Sequence, residues 1–184
     1  MKINYENKIL FGLDKIHYCK DGVIKPLSGA LDIEINLEQQ YQYGKRQGFD
    51  AIRFNSAITG KGQLTLLGLT LEEEADLLGC EYRDGELYVS DVYSPKPVSL
   101  LFARQKVDGS ELYTVAYKCI FKNPSNSAHT TQGEMDNSTQ VLEFDVLVDL
   151  DKRLTYFTLD TKRGNKNKVD SFFKELQIPN KVVK

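Results

Sequence analysis

The chain has no tryptophan, two histidines, three cysteines and two methionines among its 184 residues, and these scarcities exclude several kinds of chemistry. Cys19, Cys80 and Cys119 cannot all pair with one another, lie far apart and show no CxxC spacing. Reduced, buried thiols are therefore expected rather than a disulfide framework or a zinc site. His17 and His129 are distant, and neither accompanies a serine or cysteine in a nucleophile pattern, so no catalytic triad is expected. No apolar run approaches the ~20 residues that cross a bilayer. The opening, MKINYENKILFGLDK, lacks the apolar core of a secretory leader. An excess of one charge is missing as well. Lysine and arginine total 24 against 26 aspartates and glutamates, with signs interspersed, so no whole-molecule field draws in polyanions or membranes.

What remains is an ordinary globular balance, 41% apolar and 27% charged, at a length that suits one domain with a real core. Residues 1–14 read as an N-terminal arm, 15–161 as a β domain and 162–184 as a C-terminal extension. Asp21-Gly22, Asp84-Gly85 and Asp108-Gly109 each separate two apolar-bearing runs, the strongest short-range hairpin signal. Ala30 to Leu37 alternates cleanly, with Leu31, Ile33, Ile35 and Leu37 on one face and Asp32, Glu34 and Asn36 on the other. Glu38 to Gly48 reads as a polar loop carrying Tyr41, Tyr43, Lys45 and Arg46. A weaker strand pattern covers Phe49–Ala57, and Gly60–Leu69 reads as another strand, with Leu64 and Leu66 against Lys61, Gln63 and Thr65. In the Asp108-Gly109 hairpin, Val98, Leu100 and Phe102 are expected to share a buried face with Tyr113, Val115, Tyr117 and Cys119. Asn123 to Ser138 reads as a flexible loop, and strands are expected over Thr139–Leu150 and Leu154–Leu159. Thr70 followed by Glu73 is a capping box opening a helix that Gly79 closes, with Leu71, Ala75 and Leu78 on one stripe. A second helix is expected over Asn165–Leu176. Many strands joined by hairpins, with a short flanking helix at about 70–79 and one near the C-terminus, argue a mainly β protein: an antiparallel sandwich or barrel.

Chemistry is harder to find. Gly60-Lys-Gly is too short for a phosphate loop and lies inside a strand pattern. Glu72, Glu73 and Glu74 sit where a helix N-terminus favours negative charge. The pairs Asp32/Glu34 and Glu143/Asp145 have the alternation of a solvated strand face. Lys162 to Lys168 is basic but has no interleaved aromatic to stack on a base. No enzyme, cofactor or metal site is expected.

The order of several local signatures resembles the major tail protein family of long-tailed, non-contractile bacteriophages. They are Gly60-Lys-Gly-Gln-Leu-Thr-Leu, then Leu71-Glu-Glu-Glu-Ala-Asp-Leu-Leu-Gly79, Asp84-Gly-Glu-Leu and Pro95-Lys-Pro-Val-Ser-Leu-Leu-Phe102. Tyr117-Lys-Cys-Ile-Phe, the polar stretch after Pro124 and Gln140-Val-Leu-Glu-Phe complete the series. The likeness runs from about Lys15 to Thr161 and rests on the order of many weak motifs. It implies a tail-tube β-sandwich or barrel whose copies form hexameric rings that stack into the conduit for genome ejection. The implied partners are the chain itself, the tape measure protein and other tail proteins, with viral DNA passing through the bore unbound and no membrane. The implied place is the virion tail, after synthesis in the host cytoplasm. On this likeness Asp32 and Glu34, with Glu143 and Asp145, are candidates to face the bore. Tyr41, Tyr43, Lys45 and Arg46 are candidates for contact between rings. The alternatives are a tube subunit of a contractile tail or tail-derived secretion system, and a monomeric β-sandwich ligand-binding module.

Overall fold

A computed structural model describes residues 5–46, 49–90, 95–123 and 139–179, except for the side chains of 40–56. In chain order the elements are β1 (Leu10–Lys20), β2 (Val23–Pro26), β3 (Ala30–Arg46), β4 (Phe49–Leu66), α1 (Leu71–Leu78), β5 (Glu81–Arg83) and β6 (Glu86–Tyr88). They continue with β7 (Val98–Lys106), β8 (Glu111–Phe121), β9 (Gln140–Val146), β10 (Tyr156–Asp160) and α2 (Lys166–Ser171). An eight-stranded antiparallel sheet has the order β2-β1-β7-β8-β9-β4-β3, with β10 also on β8; β5 and β6 form a separate small ladder. The mainly β expectation holds. Among the described residues no ladder joins β1 to β3, so the sheet is open rather than a closed barrel.

Turn chemistry fixes the hairpins. Asp21 and Gly22 both have positive φ, as do Asp84 and Gly85, the condition of a two-residue I′ turn. At Asp108-Gly109 only the glycine does; the Gly109 amide donates to the Lys106 carbonyl and the Lys106 amide to Ser110, giving a three-residue connection. Helix α1 forms as expected. The Thr70 hydroxyl accepts from the Glu73 amide at 3.2 Å, and Glu73 accepts from the Thr70 amide at 2.8 Å. Gly79, at φ 72°, ends the helix. Its buried residues are Ala75, Leu77 and Leu78, whereas Leu71 stays exposed.

The sheet has a core on each side. Ile16, Tyr18, Leu64, Leu66, Leu100, Phe102, Phe121, Leu142 and Phe144 meet Leu77 and Leu78 of α1 in one cluster, so the sheet curls around it. On the other side Leu101, Ala103, Tyr113, Val115 and Tyr117 pack beneath Phe172 and its neighbours in the C-terminal segment. Each fully buried large apolar side chain contributes about 1.5–3 kcal/mol before entropy is counted. The expectation that Val98, Leu100 and Phe102 share a face with Tyr113, Val115 and Tyr117 is corrected. Strands β7 and β8 are buried on both sides, so periodicity could not say which residues belong together.

Strand β8 contains the feature that organises the sheet. Lys118 has φ 47°, and the pairing with β7 slips between Val98↔Cys119 and Leu100↔Ala116. This bulge places Tyr117 in the second core and Cys119 in the first, where regular alternation would put them together. It also divides the far edge of β8: residues Leu112–Ala116 pair with β10, and Cys119–Phe121 pair with β9. The Asp149 carboxylate receives the Asp151 and Lys152 amides and the Lys152 ammonium, holding the turn that carries the chain from β9 to β10.

Several expected boundaries move. Leu10–Asp14, read as part of an arm, belongs to β1, with Leu10 opposite Lys106 and Phe11 opposite Gln105. The two runs Phe49–Ala57 and Gly60–Leu69 are one strand, β4. The expected second helix is shorter, ending at Ser171. The loop expected over Asn123–Ser138 lies almost wholly outside the described residues. All three cysteines are free; Cys19 and Cys119 are buried, and burial pushes the Cys119 thiol up to about 12.

Candidate functional site

Strands β3, β4 and β9 lie side by side, and their register brings the expected carboxylates together. Asp32 faces Thr65, which faces Val141; Glu34 faces Gln63, which faces Glu143; Asn36 faces Lys61, which faces Asp145. Asp32, Glu34 and Glu143 are exposed and Asp145 is half-buried. Residues distant in sequence thus share one polar sheet face. That face is not uniformly acidic. Lys61 stands in its third row, and the Lys122 ammonium lies 3.7 Å from Glu143 and 3.3 Å from Asp145. Asn36 donates to Glu34 at 2.8 Å. Exposed pairs of this kind contribute at most about 1 kcal/mol. A shallow groove of about 270 Å³ runs over Glu34, Asn36, Lys61, Gln63, Lys122 and Glu143.

The reverse side explains Gly60-Lys-Gly. A Cβ on Gly62 would lie 2.3 Å from the Phe144 ring and 2.8 Å from the Glu34 carbonyl oxygen. One on Gly60 would lie 2.7 Å from the Asn36 carbonyl oxygen. These glycines let the Phe144 ring lie across β4 and let β3 press against it. The alternation expected in β3 holds in part. Ile33 and Ile35 are half-buried against the first core, but Leu31 and Leu37 are exposed. Leu31 falls at a register slip between Ala30 and Asp32, which takes it out of the inward row.

Beyond Gly60 the sheet narrows to two strands. Strand β9 stops pairing with β4 at Gly60↔Val146, yet β3 and β4 stay paired through Glu38↔Thr59 and Gln39↔Ile58 to Arg46↔Phe49. The expected polar loop is therefore a strand. A loop was expected because Glu38–Gly48 is polar throughout, but a ladder partner satisfies its backbone whatever its side chains are. At ~3.4 Å per residue the ribbon reaches about 30 Å past the last β9 pair. Its root is tied down where the Thr155 hydroxyl donates to the Ile58 carbonyl at 2.7 Å. Tyr41, Tyr43, Lys45 and Arg46 all lie on this ribbon. Their side chains fall outside the described residues, so the contacts they make are not part of the site.

Two clusters stand apart from the polar face, and sequence reasoning missed the first of them. On one, Asp76 of α1 receives Tyr18 at 2.8 Å, Lys20 at 2.9 Å and Lys25 at 2.7 Å, clamping the helix to β1 and β2. Burial alone would raise the Asp76 carboxyl, but these three donors outweigh it and hold it below its ordinary value. The other is an exposed apolar group, Ile9, Leu10, Phe11 and Val107, joined where the Val107 amide donates to the Ile9 carbonyl. Among the described residues no three His, Cys, Asp or Glu side chains stand close enough to hold a metal, and no helix is long and apolar enough to cross a membrane. No protein-family model matches this chain, and no curated protein matches it either.

Proposed function

We propose that this protein is a self-assembling structural subunit, a tail-tube protein whose copies form hexameric rings that stack into a conduit for viral DNA. The observation that carries the reading is the β3–β4 ribbon. An isolated two-stranded hairpin is marginal in water, and this one runs about 30 Å past the sheet that supports its base. A ribbon of that length calls for a second surface, and a neighbouring copy would supply one. The edge of β3 fits the same reading. Over Ala30–Leu37 it has no further partner among the described residues, and an open edge is an aggregation hazard unless assembly uses it. A closed ring requires a rotating, head-to-tail interface, and stacking repeats a second one.

In this reading the polar face of β3, β4 and β9 lines the bore. DNA carries a charge every ~1.7 Å, and a basic wall would bind it by counterion release. Asp32, Glu34, Glu143 and Asp145 outnumber Lys61 and Lys122 on this face, so it repels more than it holds. The ribbon, with Tyr41, Tyr43, Lys45 and Arg46, makes the contact between rings.

The test is electron microscopy of the concentrated protein and of a variant with residues 41–55 replaced by an Asn-Gly turn. Tubes from the parent, and rings or monomers of unchanged melting temperature from the variant, are the expected results. Monomers from the parent at every concentration would leave a single-molecule binding module as the better reading. Long tubes from the variant would remove the ribbon from the interface. Asp32→Lys with Glu34→Lys is expected to leave tubes intact and slow genome release.

A further inference from the structure

We propose that His17 is a proton-operated latch for the C-terminal strap, residues 161–179, which covers the second core. The proposal does not depend on the tube reading. His17 lies on the second-core side of β1, opposite Leu101 of β7 and Pro26 of β2. Its ring meets Phe173 of the strap in a tilted contact at a centroid distance of 4.7 Å, and its Nδ1 is buried with no hydrogen-bond partner. Phe173 in turn meets Phe172 and Tyr113 at 5.0 Å, so the imidazole ends an aromatic cluster that holds the strap down. Most other polar ties of the strap to the sheet are at its root, where Lys162 pairs with Asp108 at 3.0 Å. The Tyr117 hydroxyl donates to the Gln177 carbonyl, and Thr161 bonds to Glu111 at the strap's root.

A neutral imidazole tolerates this seat; a charged one does not. The residue is half-buried, but protonation puts a hydrogen on Nδ1, which is itself buried and has no acceptor. Nearby charge makes matters worse. Lys15, two residues away on the same face, repels an imidazolium. The carboxylates that would offset it, Asp14 and Glu111, are paired with Lys15 at 3.3 and 3.5 Å, and Glu111 also accepts from Tyr113. On the strap, the charged neighbours of Phe173 are Asp170, Lys174 and Glu175, and Asp170 acts on Tyr113. On β2 and β7 the nearest charges, Lys25 and Arg104, are occupied on the opposite face by Asp76 and the Phe102 ring. Burial first and Lys15 second hold His17 below its ordinary value of 6.5. A histidine lowered in the docked state favours docking above that value and opposes it as pH falls. Acid therefore lifts the strap and uncovers Leu101, Ala103, Tyr113, Val115 and Tyr117.

Hydrogen exchange of the full chain, read by mass spectrometry and corrected for intrinsic rate, tests the latch at about pH 7.5 and about pH 5.5. The expected result is a severalfold loss of protection across 165–179 at the lower pH, with β7 and β8 amides unchanged. In His17→Gln the strap should respond equally at both pH values. Equal strap protection in the parent at both values would overturn the proposal. So would a loss that persists in His17→Gln, or one that the β7 and β8 amides share.

Discussion

Strands β7 and β8 and the ribbon of β3 and β4 are built from the same antiparallel ladder, yet they draw on opposite sources of stability. The first pair has a core on each face, and its side chains from Val98 to Ala103 are almost all apolar. The second pair parts from β9 at Gly60, and beyond that point its ladder is β3 on β4, with its root tied to Thr155. Backbone pairing sets the shape of both, but apolar cover makes only the first permanent in isolation. A strand's sequence thus reports what lies over it more than whether it is a strand.

Three substitutions would test that contrast, in order of expected effect on the isolated molecule. Phe172→Ala removes the strap's fully buried ring from the second core and should cost about 3–5 kcal/mol, measured by urea unfolding. Loss of under about 1 kcal/mol would mean that the second core is not a true core. Asp76→Asn, which leaves Lys20 and Lys25 without their shared carboxylate, should cost about 1–3 kcal/mol at neutral pH. The Asp76 carboxyl is held below its ordinary 3.8, so its contribution is present above that value and fades as pH falls below it. The difference between parent and variant should therefore shrink in acid, and a constant gap would point to packing instead of charge. Replacing 41–55 should shift the melting temperature of the body least of all, because every residue of the two described cores lies outside that segment. A shift comparable to that of Phe172→Ala would show that the ribbon supports its own subunit and undo the contrast.

Much of the fold was legible where local chemistry decides it. The Asp-Gly turns and the Thr70–Gly79 helix need only their own residues, and both appear where expected. The polar face was legible in its residues, and the register supplied its grouping. What could not be read depended on distant contacts. The polarity of Glu38–Arg46 pointed to a loop because backbone pairing with β4, which makes it a strand, leaves no mark on side-chain pattern. The apolar runs of β7 and β8 were assigned to one face because doubly covered strands carry no alternation. Leu31 and Lys118 sit at slips of register, and a period-two pattern assumes that none exist. The acidic character expected of the polar face was also diluted, since Lys61 and Lys122 reach it from positions no strand-by-strand reading connects.

The slip at Lys118 has a consequence of its own. With one residue out of step, the same strand sends Tyr117 to one side of the molecule and Cys119 and Phe121 to the other. Excising that single lysine would restore regular register and leave Cys119 and Phe121 where they are, whereas straightening the strand with the lysine kept would turn its last aromatic inside out. The irregular residue hands the strand's odd-numbered side chains from one interior to the other partway along its length.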